Sequence, residues 1–160
     1  MAVILAAMAA EPPTDEVPGG SEETAITCDP GEHFTYHVHA HLTIRLDGAN
    51  VPVPGRIGIG SNCIFWLHTH AEDGILHVEA PAERTFTLGQ FFEIWGQPLT
   101  TSQVATTQVG EGQRLSVFVD GRPFEGDPRS IELADQRAIE LQVGAGPLDP
   151  LPYSFPPEYR

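Results

Sequence analysis

The chain has no lysine: its eight basic residues are all arginines, set against 22 acidic ones, for a formal net charge of −14 over 160 residues. A field of that sign repels phosphate backbones and anionic lipid heads, and no basic cluster offsets it locally. Nucleic acid is therefore not an expected partner. The same field serves solubility and also concentrates cations near the surface. No apolar run approaches the roughly 20 residues needed to cross a bilayer, so no membrane insertion of the mature domain is expected. The Gly-x-Ser-x-Gly elbow and the phosphate-cradling glycine patterns are missing too.

Cysteine is scarce as well, with only Cys28 and Cys63. An even pair in an exported chain predicts a disulfide, and closing that loop stabilises by about 3–4 kcal/mol through chain entropy. The competing reading makes one of them a copper thiolate ligand. Cys63 lies five residues before His68, an offset that turns the two to opposite faces of a regular strand.

Residues 1–10 are small and apolar and give way to polar sequence at Glu11. They read as the remnant of a secretory signal peptide, although no Lys or Arg precedes them. Residues 11–26 read as a disordered acidic, Pro/Gly-rich tether, 27–147 as a single β-rich domain, and 148–160 as a Pro-rich tail carrying Tyr153, Phe155 and Tyr159. A chain of this length supports one core, not two. The expected location is exported, periplasmic or extracellular, with tethering to a surface as a variant.

What the chain does have is histidine in two short runs: six of its seven histidines are His37, His39, His41, His68, His70 and His77. Phe34, Tyr36, Val38, Ala40, Leu42, Ile44 and Leu46 alternate with His37, His39, His41, Thr43 and Arg45. That period of two predicts a strand with one apolar face and its histidines on the other. Cys63 to His70, bulky and apolar on both sides through Ile64-Phe65-Trp66-Leu67, predicts a central strand covered on both faces. Asp73-Gly74 predicts a hairpin to Ile75–Glu79. If those two residues alone form the loop, His70 pairs with His77 and His68 with Glu79; if Ala71 to Gly74 form it, His68 pairs with His77. Either even-length loop puts His77 on the face of His68 and His70.

Further turns fall at Asp47-Gly48 and Asp120-Gly121, with Val51–Pro54 as an edge or irregular strand and further strands at 115–119, 130–133 and 138–143. Thr87 and Gln90 form a capping box for one short helix at about 87–96, ended by Gly96 and Pro98. The expected fold is mainly β: a single antiparallel sandwich- or barrel-like domain with that one α-helix.

Imidazole is the commonest protein ligand for Zn²⁺ and Cu²⁺, so the six clustered histidines predict a metal site: His68, His70 and His77 with some or all of His37, His39 and His41. Six rings serve one ion with outer partners, or two ions. Histidine ligation alone does not choose between copper and zinc. The leading reading is a protein that binds or sequesters the ion. A second is a metalloenzyme whose bound water is activated by a general base, Glu79 or Glu72, with Asp73 also near in sequence. A third is an interaction domain without metal, whose histidine face responds to pH.

The stretches Tyr36-His37-Val38-His39-Ala40-His41-Leu42, Trp66-Leu67-His68-Thr69-His70 through Gly74-Ile75-Leu76-His77-Val78-Glu79, and Thr87 to Leu99 resemble those of a group of uncharacterised exported bacterial histidine-rich proteins, over residues 36 to about 157. The resemblance implies export and a shared histidine core; it implies no activity.

Overall fold

The computed structural model describes residues 26–160. The expected signal segment, and the tether up to residue 25, lie outside the described residues. Ile26 packs against the core.

The strands follow in chain order: β1 (Cys28–Asp29), β2 (Tyr36–Leu46), β3 (Ala49–Val51), β4 (Ile64–Phe65), β5 (Leu67–His68) and β6 (Ile75–Ala80). After the helix α1 (Leu88–Trp95) come β7 (Leu99–Thr100), β8 (Gln103–Val104), β9 (Thr107–Gln108), β10 (Arg114–Val119), β11 (Arg122–Pro123) and β12 (Arg137–Gly144). The main sheet has the order β11-β10-β12-β2-β6-β5, with β3 attached to β2. The protein is mainly β, with one α-helix among the described residues and no closed barrel. One pairing is parallel, β12 on β2, so the sheet is mixed.

Alternation places the core. Ala40, Leu42 and Ile44 of β2, Leu76 and Val78 of β6, and Leu141 and Val143 of β12 join Phe86, Leu88, Phe91 and Phe92 in one apolar cluster. The helix starts as its sequence predicts: Thr87 accepts from Gln90 N, Gln90 Oε1 accepts from Thr87 N, and Gly96 closes the element in the left-handed conformation. Of the three Asp-Gly turns, Asp73-Gly74 has only Gly74 (77°) at positive φ, whereas the other two put both residues there, Asp47 (47°) with Gly48 (87°) and Asp120 (51°) with Gly121 (74°). That is the backbone a two-residue hairpin needs to match strand twist.

Two expectations change. The run from Cys63 to His70 is not a central strand. Its first part, β4, pairs with β1, and β5 stands at the end of the main sheet. The chain loops back beside it, with Arg56 N donating to Thr69 O (2.8 Å) and Phe65 N to Gly58 O (2.8 Å), while Ile64, Phe65 and Trp66 stay only partly buried. A Cβ on Gly58 would meet Leu67 O at 2.5 Å, and the residue has φ +74°, so only glycine lets the loop lie this close. Ser130–Leu133 forms no regular strand: Pro128–Ser130 is a 3-10 turn capped by Asp127, because Pro128 sets a helical φ at N1, and Glu132 makes only a lone bridge to Thr87. The small sheet β7-β8-β9 had no counterpart in the sequence reading.

Cys28 and Cys63 are disulfide-bonded, with Cα atoms 5.4 Å apart. The bridge ties β1 to the entrance of β4 and removes the thiolate alternative.

The second face of the main sheet is polar. His39, His41 and Arg45 of β2, His77 and Glu79 of β6, and Glu140 and Gln142 of β12 are all buried. The C-terminal tail is stitched across part of it. Leu148 N donates to Gln142 Oε1 (2.8 Å), Leu151 N to Glu140 Oε2 (2.7 Å) and Arg45 Nη1 to Asp149 O (3.3 Å). Arg45 also donates to Glu140 Oε1 at 2.9 Å.

Candidate metal centre

β6 lies between the two histidine strands. His77 is in register with His39 on β2 and with His68 on β5, the pairing expected of the longer Ala71–Gly74 loop. Three imidazoles thus align across three neighbouring strands on the polar face. Two residues along β6, Glu79 is in register with His37. His70, just past β5, is the most open ring, with a side chain 44% exposed.

The side chains converge into two groups sharing His77: His68, His70, His77 and Glu79 in one, His37, His39 and His77 in the other. Within each group one ligand atom per residue lies within 4.8 Å of all the others. His68 Nε2 and His70 Nε2 are 3.2 Å apart, and His37 Nε2 and His39 Nε2 are 3.1 Å apart. With metal–nitrogen bonds of about 2.0–2.1 Å, two ligands of a tetrahedral ion stand about 3.3–3.4 Å apart. Glu79 Oε1 lies 3.2 Å from His37 Nε2, 3.3 Å from His77 Nδ1 and 3.8 Å from His68 Nε2.

The proton positions suit ligation. His68 Nδ1 stands 2.9 Å from Phe65 O; donation to that carbonyl fixes the tautomer and leaves Nε2 with its lone pair aimed at His70 and Glu79. Burial pushes His68 down to about 4, and burial together with the neighbouring His77 and His37 pushes His39 down to about 4. Both rings are neutral at pH 7, the form that binds metal. Burial raises Glu79, but His77, His68 and His37 outweigh it and hold the carboxyl below its usual range. Glu79 Oε2 and His77 Nδ1 are buried without a hydrogen-bond partner. The latter approaches Glu79 Oε1 at ion-pair distance only. Unsatisfied buried polar atoms are costly, and a cation between them would satisfy both.

Of the residues singled out from sequence, His37, His39, His68, His70, His77 and Glu79 come together. His41 stands apart: its Nε2 is 3.1 Å from Asp73 O and its ring stacks on Tyr153, while burial holds it down at about 4. Glu72 and Asp73 are exposed and belong to neither group.

Three residues escaped the sequence reading. Glu32 Oε1 lies 3.4 Å from His70 Nε2. The Tyr159 ring packs 4.8 Å from His39 and 5.7 Å from His77, and Tyr153 covers His41. The aromatic tail was conspicuous in sequence, but no periodicity tells which face a Pro-rich segment will cross.

No protein-family model, curated protein or solved structure matches the chain.

Proposed function

We propose that the protein binds a divalent transition-metal ion, Cu²⁺ or Zn²⁺, on His68, His70, His77 and Glu79, and that it holds the ion rather than using it in catalysis. The observation that carries this reading is the mutual approach of these four ligand atoms within 4.8 Å. Four protein ligands complete a tetrahedral shell, the pattern of ions that are held, whereas catalytic zinc keeps one position open. The hydrolytic alternative needs a base one water away from the metal. Glu79 Oε1, at 3.3 Å from His77 Nδ1, is at the spacing of a fellow ligand instead. A face built to take up protons is the weaker account, because burial disfavours the charged form of both His39 and His68.

We assign the protein to an exported compartment, in keeping with its resemblance to exported histidine-rich bacterial proteins. The disulfide supports this, since such bonds persist in oxidising surroundings. No helix of the described residues is long and apolar enough to cross a membrane.

The test is metal content of untagged protein after exposure to Cu²⁺ or Zn²⁺ and exhaustive dialysis. Retention of at least one ion per chain is expected. His68→Ala should abolish it at that group while His33→Ala leaves it unchanged. No retained ion and no change in melting under saturating metal would refute the assignment.

A further inference from the structure

The two histidine groups are not independent. Each contains a His-x-His pair from a different strand, β2 or β5, with nearly equal nitrogen separations of 3.1 and 3.2 Å. Between the pairs runs β6, which supplies His77 to both groups and sets Glu79 Oε1 within 3.2 Å of His37 Nε2 on one side and 3.8 Å of His68 Nε2 on the other. The second carboxylate oxygen, Oε2, is buried with no hydrogen-bond partner. A carboxylate flanked by two imidazole pairs, with one oxygen unclaimed, is arranged as a bridge.

The geometry points to a dinuclear centre: one ion on His68, His70 and His77, a second on His37 and His39, and Glu79 joining them through Oε1, the oxygen that faces both imidazole pairs. This deepens the metal-binding assignment and rests on it. Mutual repulsion of two divalent ions is offset by the shared carboxylate and by the protein's own −14 charge. Bridged ions in two-metal sites stand about 3.5–4 Å apart. Both sites reach solvent, the first through His70, 44% exposed, and the second through His37, 32% exposed; the second ion, with fewer protein ligands, is the one expected to exchange more readily.

The experiment titrates metal-free full chain with Cu²⁺ at neutral pH, counting bound ions after dialysis and bound spins by electron paramagnetic resonance. Two ions per chain are expected, with a spin count well below two because a shared carboxylate couples the unpaired electrons. His37→Ala, and His37→Ala with His39→Ala, should reduce binding to one ion whose spin is counted in full. Far-ultraviolet circular dichroism checks that the variants fold; the spin count of the unmodified chain needs no variant at all. One ion per chain in the unmodified protein and in the variants would overturn the dinuclear centre and leave the single-site assignment standing. Two ions with two uncoupled spins, or two ions retained by the double variant, would overturn the bridge. No bound ion would sink both readings.

Discussion

On one side of β2, Ala40, Leu42 and Ile44 are 0%, 2% and 3% exposed; on the other, His39, His41 and Arg45 are 9%, 7% and 9% exposed. The two faces are buried almost equally, but by different means. The apolar side chains pack against α1 and its flanks and gain from leaving water. The polar ones have lost water and need partners, drawn from β12, from β6 and from a tail contributed by the far end of the chain. Burial on the first face stabilises under any conditions. On the second it depends on protons, on the tail and, by our assignment, on an ion.

The largest expected effect separates the faces by pH. His39, His41 and His68 have folded values of about 4, below the ordinary 6.5. Between those values the unfolded chain takes up protons that the folded one refuses. The stability is therefore fully present above pH 6.5 and is lost as pH falls toward 4. Each ring contributes a slope of at most about 1.4 kcal/mol per pH unit. Urea unfolding of metal-free protein across this window measures it, and a flat profile would mean the rings accept protons without leaving the fold.

Next is Phe92→Ala on the apolar face, expected to cost about 3–5 kcal/mol with no dependence on pH or metal. A loss that vanished on adding metal would show that the faces are coupled. Third, Cu²⁺ at a hundred times its dissociation constant should add about 2.7 kcal/mol, and the same increment should appear in Phe92→Ala, since well-separated sites add. Smallest is Tyr153→Ala, which removes the stack on His41 and should cost about 0.5–1.5 kcal/mol beyond the lost burial. If instead it unfolds the domain, the tail is a primary part of the core and the contrast between the faces narrows.

The local part of this architecture was legible. Strict alternation in Tyr36–Leu46 gave both the strand and the separation of its faces, Asp-Gly gave the hairpins, and Thr87 with Gln90 gave the helix start, because each is decided by neighbours in sequence. What sequence could not carry was decided at long range. The apolar run at Ile64–Leu67 reads as a central strand, yet a returning loop with Gly58 against it takes the strand's place, and only Leu67 of the run is fully buried. His41 follows the same alternation as His37 and His39 but ends on Tyr153, a contact no local pattern encodes. Glu79 was legible as a candidate base; only the β6 register turned it into a centrepiece between two histidine pairs.

The parallel pairing of β12 with β2, Ala40 against Arg137 and Leu46 against Val143, also governs how the chain reaches this state. All the clustered ligands lie between residues 37 and 79, whereas the strand that closes β2's second edge, β12, is made only after them. Pairings of such high contact order form slowly. Until then an eleven-residue strand offers a free row of N–H and C=O groups, the template on which chains add to one another. A chain truncated before Arg137 should accordingly self-associate, and dilution should raise refolding yield more than it changes the rate.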